Sequence, residues 1–129
     1  MNEGKLIIFS APSGAGKTSI VKGVMDKIPG LGFSVSACSR PKRNGERDGV
    51  DYYFLSPQEF RRRIEKGLFL EWEEVYPGSF YGTLLSELDR IWSGGKHVVF
   101  DVDVAGGLNL KSSFPDRSLA IFIMPPSLE

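Results

Sequence analysis

Residues 11–18 read Ala11-Pro12-Ser13-Gly14-Ala15-Gly16-Lys17-Thr18, and no other stretch limits the fold as strongly. The string fits the phosphate-loop pattern G-x-x-x-x-G-K-[ST] except that Ala11 stands at the first glycine. Its surroundings fit too. Residues 5–10 form a short apolar run that reads as a buried strand. Ile20, Val21, Val24, Met25 and Ile28 then recur at helical spacing until Pro29-Gly30 stops them. Strand, glycine-rich turn and helix open an α/β domain with a parallel sheet. Gly14 and Gly16 let consecutive N–H groups converge on phosphate oxygens, and the start of the helix adds its positive dipole end. Lys17 is placed to reach the β- and γ-phosphates and the Thr18 hydroxyl to ligate Mg2+. Ala11 is tolerated if its φ is negative. The whole loop, Ala11, Pro12, Ser13, Gly14, Ala15, Gly16, Lys17 and Thr18, is thus the expected ATP site.

The rest of the chain repeats the alternation at its far end. Residues 97–102 and 119–124 are apolar strands, with a short helix at 105–113 between them. Between the two ends the character changes. Residues 33–38 read as one strand, 39–49 as a basic turn-rich stretch, 51–55 as an aromatic strand and 70–75 as another strand. Ser56-Pro57-Gln58-Glu59 starts a helix, with Ser56 as N-cap, Pro57 first and Glu59 closing a capping box. Leu84, Leu85, Leu88, Ile91 and Trp92 mark a further helix, ended by Gly94-Gly95. With 129 residues, the expectation is a single domain: a core of 1–34 and 94–129 and an inserted subdomain of 35–93.

Sixteen Lys+Arg balance sixteen Asp+Glu, so no global basic field points to nucleic acid or an acidic membrane surface. The longest apolar runs are far shorter than a membrane span, and the first residues do not read as a secretory signal. A lone Cys38 rules out an internal disulfide and suits a reducing compartment. The expected location is the cytoplasm. Pure GTPases need an Asn-Lys-x-Asp string that the sequence lacks, and the Asp103-Val104-Ala105-Gly106 match to Asp-x-x-Gly is weak. Asp101 and Asp103 read either as magnesium-side carboxylates or as structural ones, helix capping included. His97 and Cys38 read as structural.

Several further motifs follow in order: Ser34-Val35-Ser36-Ala37-Cys38-Ser39-Arg40 with Arg43, Gly45-Glu46, Gly49-Val50-Asp51-Tyr52 and Phe54, then Phe69-Leu70-Glu71-Trp72, Phe80-Tyr81-Gly82-Thr83 and Asp101-Val102-Asp103. Together with the phosphate loop they resemble the guanylate kinases, over residues 5 to 124. The resemblance implies a P-loop nucleoside monophosphate kinase fold, a parallel sheet with helices on both faces and an inserted GMP-binding subdomain that closes over GMP. It implies transfer of the γ-phosphoryl of Mg-ATP to GMP, giving ADP and GDP, with ATP and GMP as partners and Mg2+ as cofactor. Glu71 would accept from guanine N1–H and the N2 amine, and Ser36 and Thr83 would donate to O6. Arg40 and Arg43 would fork onto the monophosphate, with Tyr52 and Tyr81 as hydroxyl donors. Asp101 and Asp103 join the GMP set, and Lys17, Arg40 and Arg43 are the expected catalytic residues.

Each residue taken alone has a plainer reading. Residues 40–47 could be a solvated basic turn, Glu71 surface charge in an acidic run, and the two tyrosines core aromatics. Beyond the segment matching residues 125–129, the family continues into an arginine-bearing lid, an adenine-contacting loop, a last strand and a C-terminal helix. The expectation is therefore a truncated chain, weakly active, with residues 119–124 as an exposed sheet edge open to self-association. A non-catalytic guanylate kinase-like nucleotide-binding module is the alternative.

Overall fold

A computed structural model describes residues 4–12 and 16–124. Two compact units divide the chain: one holds the residues up to Ser34 and those from Arg90 onward, the other is Val35–Asp89.

The first unit contains β1 (Leu6–Ser10), α1 (Lys17–Lys27), β2 (Leu31–Phe33), β7 (His97–Val102), α4 (Val104–Ser113) and β8 (Ser118–Phe122). Its sheet runs in the order β2-β7-β1-β8, every pair parallel. Parallel neighbours need crossover connections, and helices supply them. On one face Val21, Val24 and Met25 of α1 pack with Ile7, Phe9, Val99 and Ile121. On the other, α4 passes so close that a Cβ on Gly107 would stand 3.2 Å from Ser10 Cβ. Because side chains alternate along β1, Ile7 and Phe9 serve one helix layer while Ile8 and Ser10 serve the other. The sheet is covered on both faces, as the phosphate-loop pattern predicts. Ile20 and Ile28, assigned by spacing to the buried stripe of α1, are exposed.

The second unit holds β3 (Ala37–Cys38), β4 (Tyr53–Phe54), α2 (Pro57–Glu65), β5 (Phe69–Tyr76) and β6 (Ser79–Leu84). Its sheet order is β4-β3-β6-β5, with β3 and β4 parallel and the other pairs antiparallel. Helix α3 (Leu85–Ser93) follows β6 directly. As the sequence predicts, Ser56 caps α2, its Oγ accepting from Glu59 N at 3.0 Å. The Glu59 carboxylate, however, turns to Arg62 and Arg63, at 2.6 and 2.8 Å. Charge attraction one turn along the helix outweighs the reciprocal capping bond.

Two expectations for this region change. Residues 33–38 do not form one strand: Ser34 N donates to Val99 O in the first unit, whereas Ser36 O accepts from Tyr53 N in the second. β2 and β3 therefore belong to different sheets, although strand propensity is continuous across them. Residues 79–84, read above only as a motif, form the central strand β6, buried at nearly every position. A strand covered on both sides shows no alternation to read.

Phe60 is fully buried at the centre of this unit, its ring stacked on Phe69 (4.3 Å between centroids) and Phe80 (5.1 Å). Removing that ring leaves a cavity among aromatic neighbours. Phe60→Ala is expected to destabilise the protein by about 3–5 kcal/mol. Urea unfolding followed by Trp fluorescence measures it, since Trp72 lies 6.1 Å from Phe80.

Candidate nucleotide site

The first unit positions Lys17 from two adjacent strands. Gly16 is the N-cap of α1 with φ 81 and ψ 18, a left-handed conformation that side chains disfavour. The turn it makes sets Lys17 at the first helical position. β1 and β7 are neighbours, with Phe9 opposite Asp101 and Ser10 opposite Val102. The carboxyl end of β7 therefore meets the Lys17 ammonium. Nζ lies 2.8 Å from Asp101 Oδ1 and donates to Val102 O at 2.9 Å. Ligands of open α/β sheets gather at these strand ends. Ala11 is buried and lies outside the left-handed region, so its methyl is tolerated. Ser13, Gly14 and Ala15 lie outside the described residues; Pro12 and Thr18 are exposed. Asp103 caps α4, its Oδ1 accepting from Gly106 N at 2.7 Å. Of the two carboxylates in the Asp101-Val102-Asp103 motif, one orients Lys17 and the other starts a helix.

The second unit holds the residues expected at the monophosphate nucleotide apart from Asp101 and Asp103, which belong to the first. Glu71 on β5 and Thr83 on β6 face each other across the antiparallel pair, and Thr83 Oγ1 donates to Glu71 Oε2 at 3.0 Å. Both side chains are buried. A hydroxyl has one proton, and in this arrangement that of Thr83 is directed at the Glu71 carboxylate and orients it. Gly82 permits the close pairing of the two strands: a Cβ there would stand 2.7 Å from Glu71 O. Ser36, just before β3, is half-buried.

Arg40 forms a cluster with Tyr81, Tyr52 and Glu46. Its Nε donates to Tyr81 Oη at 3.2 Å, and Nη1 and Nη2 grip both Glu46 oxygens at 2.8 and 2.7 Å. The guanidinium sits 5.0 Å from the Tyr52 ring centroid and 5.7 Å from that of Phe54. Charge-assisted bonds from Arg40 and from Arg43 N hold the Glu46 carboxyl at about 2. Burial raises the Tyr52 phenol above its usual range, so it stays a protonated donor. Arg43 is exposed and reaches the cluster through its backbone N–H, 2.8 Å from Glu46 Oε1.

Two carboxylates without an expected role are engaged here. Glu46 is one; its sequence signal was the Gly45-Glu46 motif. Glu87 is the other, almost fully buried, accepting from Val35 N and Tyr53 Oη, each at 2.8 Å. Its place three residues after Leu84 and four before Ile91 put it on the apolar stripe of α3, which is a readable signal for a partnered buried acid.

Comparison with known proteins agrees with this fold. The Guanylate kinase family model matches residues 3–129. The guanylate kinase of Bacteroides thetaiotaomicron is 52% identical over 126 residues, covering 98% of this chain and 62% of the relative. That of Porphyromonas gingivalis is 55% identical, covering 97% and 67%. The crystal structure of guanylate kinase from Anaplasma phagocytophilum superposes with a TM-score of 0.79 at 30% identity, over 96% of this chain and 61% of that one. The chain thus spans about 62% of the length of the first of these relatives. With the fold, the phosphate-loop lysine and the sequence relatives in agreement, the chain belongs to the guanylate kinase family.

Proposed function

We propose that this chain carries the guanylate kinase reaction, transfer of the γ-phosphoryl of Mg-ATP to GMP giving ADP and GDP. The observation that supports it most is the buried Glu71 carboxylate, oriented by Thr83 on the second unit's sheet. A fixed double acceptor suits the adjacent N1–H and N2 amine of guanine, and adenine lacks that donor pair. Ser36 supplies the donor for O6. Arg40, Arg43, Tyr52 and Tyr81 take the monophosphate, and Lys17 takes the ATP phosphates. The acceptor oxygen of GMP attacks the γ-phosphorus directly, so the protein's work is alignment and charge neutralisation.

The oxygen donors near Lys17 suit Mg2+, a hard ion held by few protein oxygens together with phosphate and water. Thr18, exposed at the start of α1, would hold it, with Asp101 as the nearby carboxylate. When bound, the ion offsets phosphate charge. ATP and GMP as substrates imply work in the cytoplasm; none of the described helices is long and apolar enough to cross a membrane.

ADP production with Mg-ATP and GMP, AMP, CMP or UMP in turn tests the reading. ADP formed with GMP alone is the expected result. GMP binding without ADP would favour a non-catalytic binding module, and neither would overturn both readings.

A further inference from the structure

The Glu46 grip on Arg40 bears on how the monophosphate is held. Both oxygens of Glu46 occupy the Nη1–Nη2 edge, the one an arginine ordinarily turns to a phosphate. Nη1 also donates to Pro41 O at 3.1 Å, and Nε is committed to Tyr81. These bonds leave one N–H on Nη2; Arg40 also has a weak hydrogen-bonding interaction with the Tyr52 hydroxyl, which an incoming phosphate would share. Tyr81 Oη, as the acceptor of the Nε bond, keeps its own proton to donate.

Two roles for Glu46 are chemically open: a carboxylate occupying the phosphate's seat until displaced, or a fixed strut. The loop decides between them. Glu46 N donates to Arg43 O at 3.1 Å, Glu46 Oε1 accepts from Arg43 N at 2.8 Å, and Gly45 makes the turn at φ 84. Glu46 is therefore held by its own turn as well as by Arg40. Expelling it would break the loop along with the ion pair.

We infer that Glu46 is a positioning residue for the monophosphate site, holding Arg40 so that its remaining N–H and the Tyr81 hydroxyl are both presented to phosphate oxygens. This rests on the guanylate kinase reading above. A free arginine side chain carries considerable rotamer entropy, and ordering it before the ligand arrives removes that cost from binding. Glu46 also neutralises Arg40, so the exposed Lys42 and Arg43 between them carry the excess positive charge of this turn.

Titration calorimetry of GMP and of guanosine, which lacks the phosphate, separates the possibilities. Glu46→Gln is expected to weaken GMP binding about tenfold, the scale at which residues that orient a binding group are felt, and to leave guanosine unchanged. In an Arg40→Ala background the same substitution is expected to add nothing. Glu46→Asp, which keeps the charge but shortens the reach, is expected to lie between.

Tighter GMP binding by Glu46→Gln would make Glu46 a competitor and overturn the inference. Equal losses for GMP and guanosine, or a persisting loss in the Arg40→Ala background, would reduce Glu46 to a loop-folding role and overturn it too. GMP binding unaffected by Arg40→Ala would remove Arg40 from the phosphate site, and the inference with it. Failure of the unaltered chain to bind GMP would instead strike the proposed function itself.

Discussion

Lys17→Ala is expected to reduce phosphoryl transfer about 10³-fold or more, the scale of deleting one preorganised charge that meets a transferring phosphoryl group. The geometry gives the reason. An ammonium has three donors; Asp101 and Val102 O take two of them, both from the end of β7. The side chain is thereby fixed before nucleotide arrives, with little rotamer entropy left to lose. Alanine removes the cation and leaves the Asp101 carboxylate without its partner, an added repulsion toward phosphate. GMP affinity is expected to stay nearly unchanged, because the base-reading Glu71 and the Arg40 cluster are built within the second unit; of the residues expected at GMP, Asp101 alone is Lys17's ion-pair partner. Initial rates at saturating ATP together with GMP calorimetry check both halves. Equal loss of turnover and of GMP binding would show that Lys17 belongs to the acceptor site.

The phosphate-loop half of this molecule was readable because its signals are local. Residues 5–10 are apolar without alternation, Ile20–Ile28 carry a 3.6 period, and Gly16-Lys17-Thr18 joins them. A strand buried on both faces followed by a one-sided helix has few alternatives. The capped start of α2 was equally local. What local pattern could not show was a change of partner: residues 33–38 keep one strand-like composition while their hydrogen bonds pass from Val99 to Tyr53.

The same limit applies to the side chains. The family resemblance named Arg40, Tyr52, Tyr81, Glu71 and Thr83, but not which of them bond one another. Arg40 is turned by Glu46 through a loop whose shape depends on the left-handed Gly45. The Thr83 proton goes to Glu71 because strands β5 and β6 pair those two residues. Register across a sheet is a tertiary fact, and one sequence carries it only weakly.

That register underlies the second large effect. Glu71→Gln is expected to reduce the preference for GMP over AMP from about 10⁴-fold to about tenfold or less. The carboxylate presents acceptors only, and Thr83 Oγ1 donating to Oε2 at 3.0 Å holds it in place. An amide of nearly the same shape keeps one acceptor and replaces the other by a donor. Thr83 can rotate its hydroxyl to accept from that amide, so the packing survives while guanine loses a charged acceptor. A hydrogen bond to a charged group contributes about 1.5–3 kcal/mol, and a buried donor set facing another donor costs more. ATP affinity is expected to be unchanged, since the substitution leaves Lys17 and its Asp101 anchor untouched. Competition calorimetry with GMP and AMP reads the discrimination directly. An unchanged preference for GMP would mean that the base is read elsewhere and that the Glu71–Thr83 pair serves the β5–β6 sheet alone.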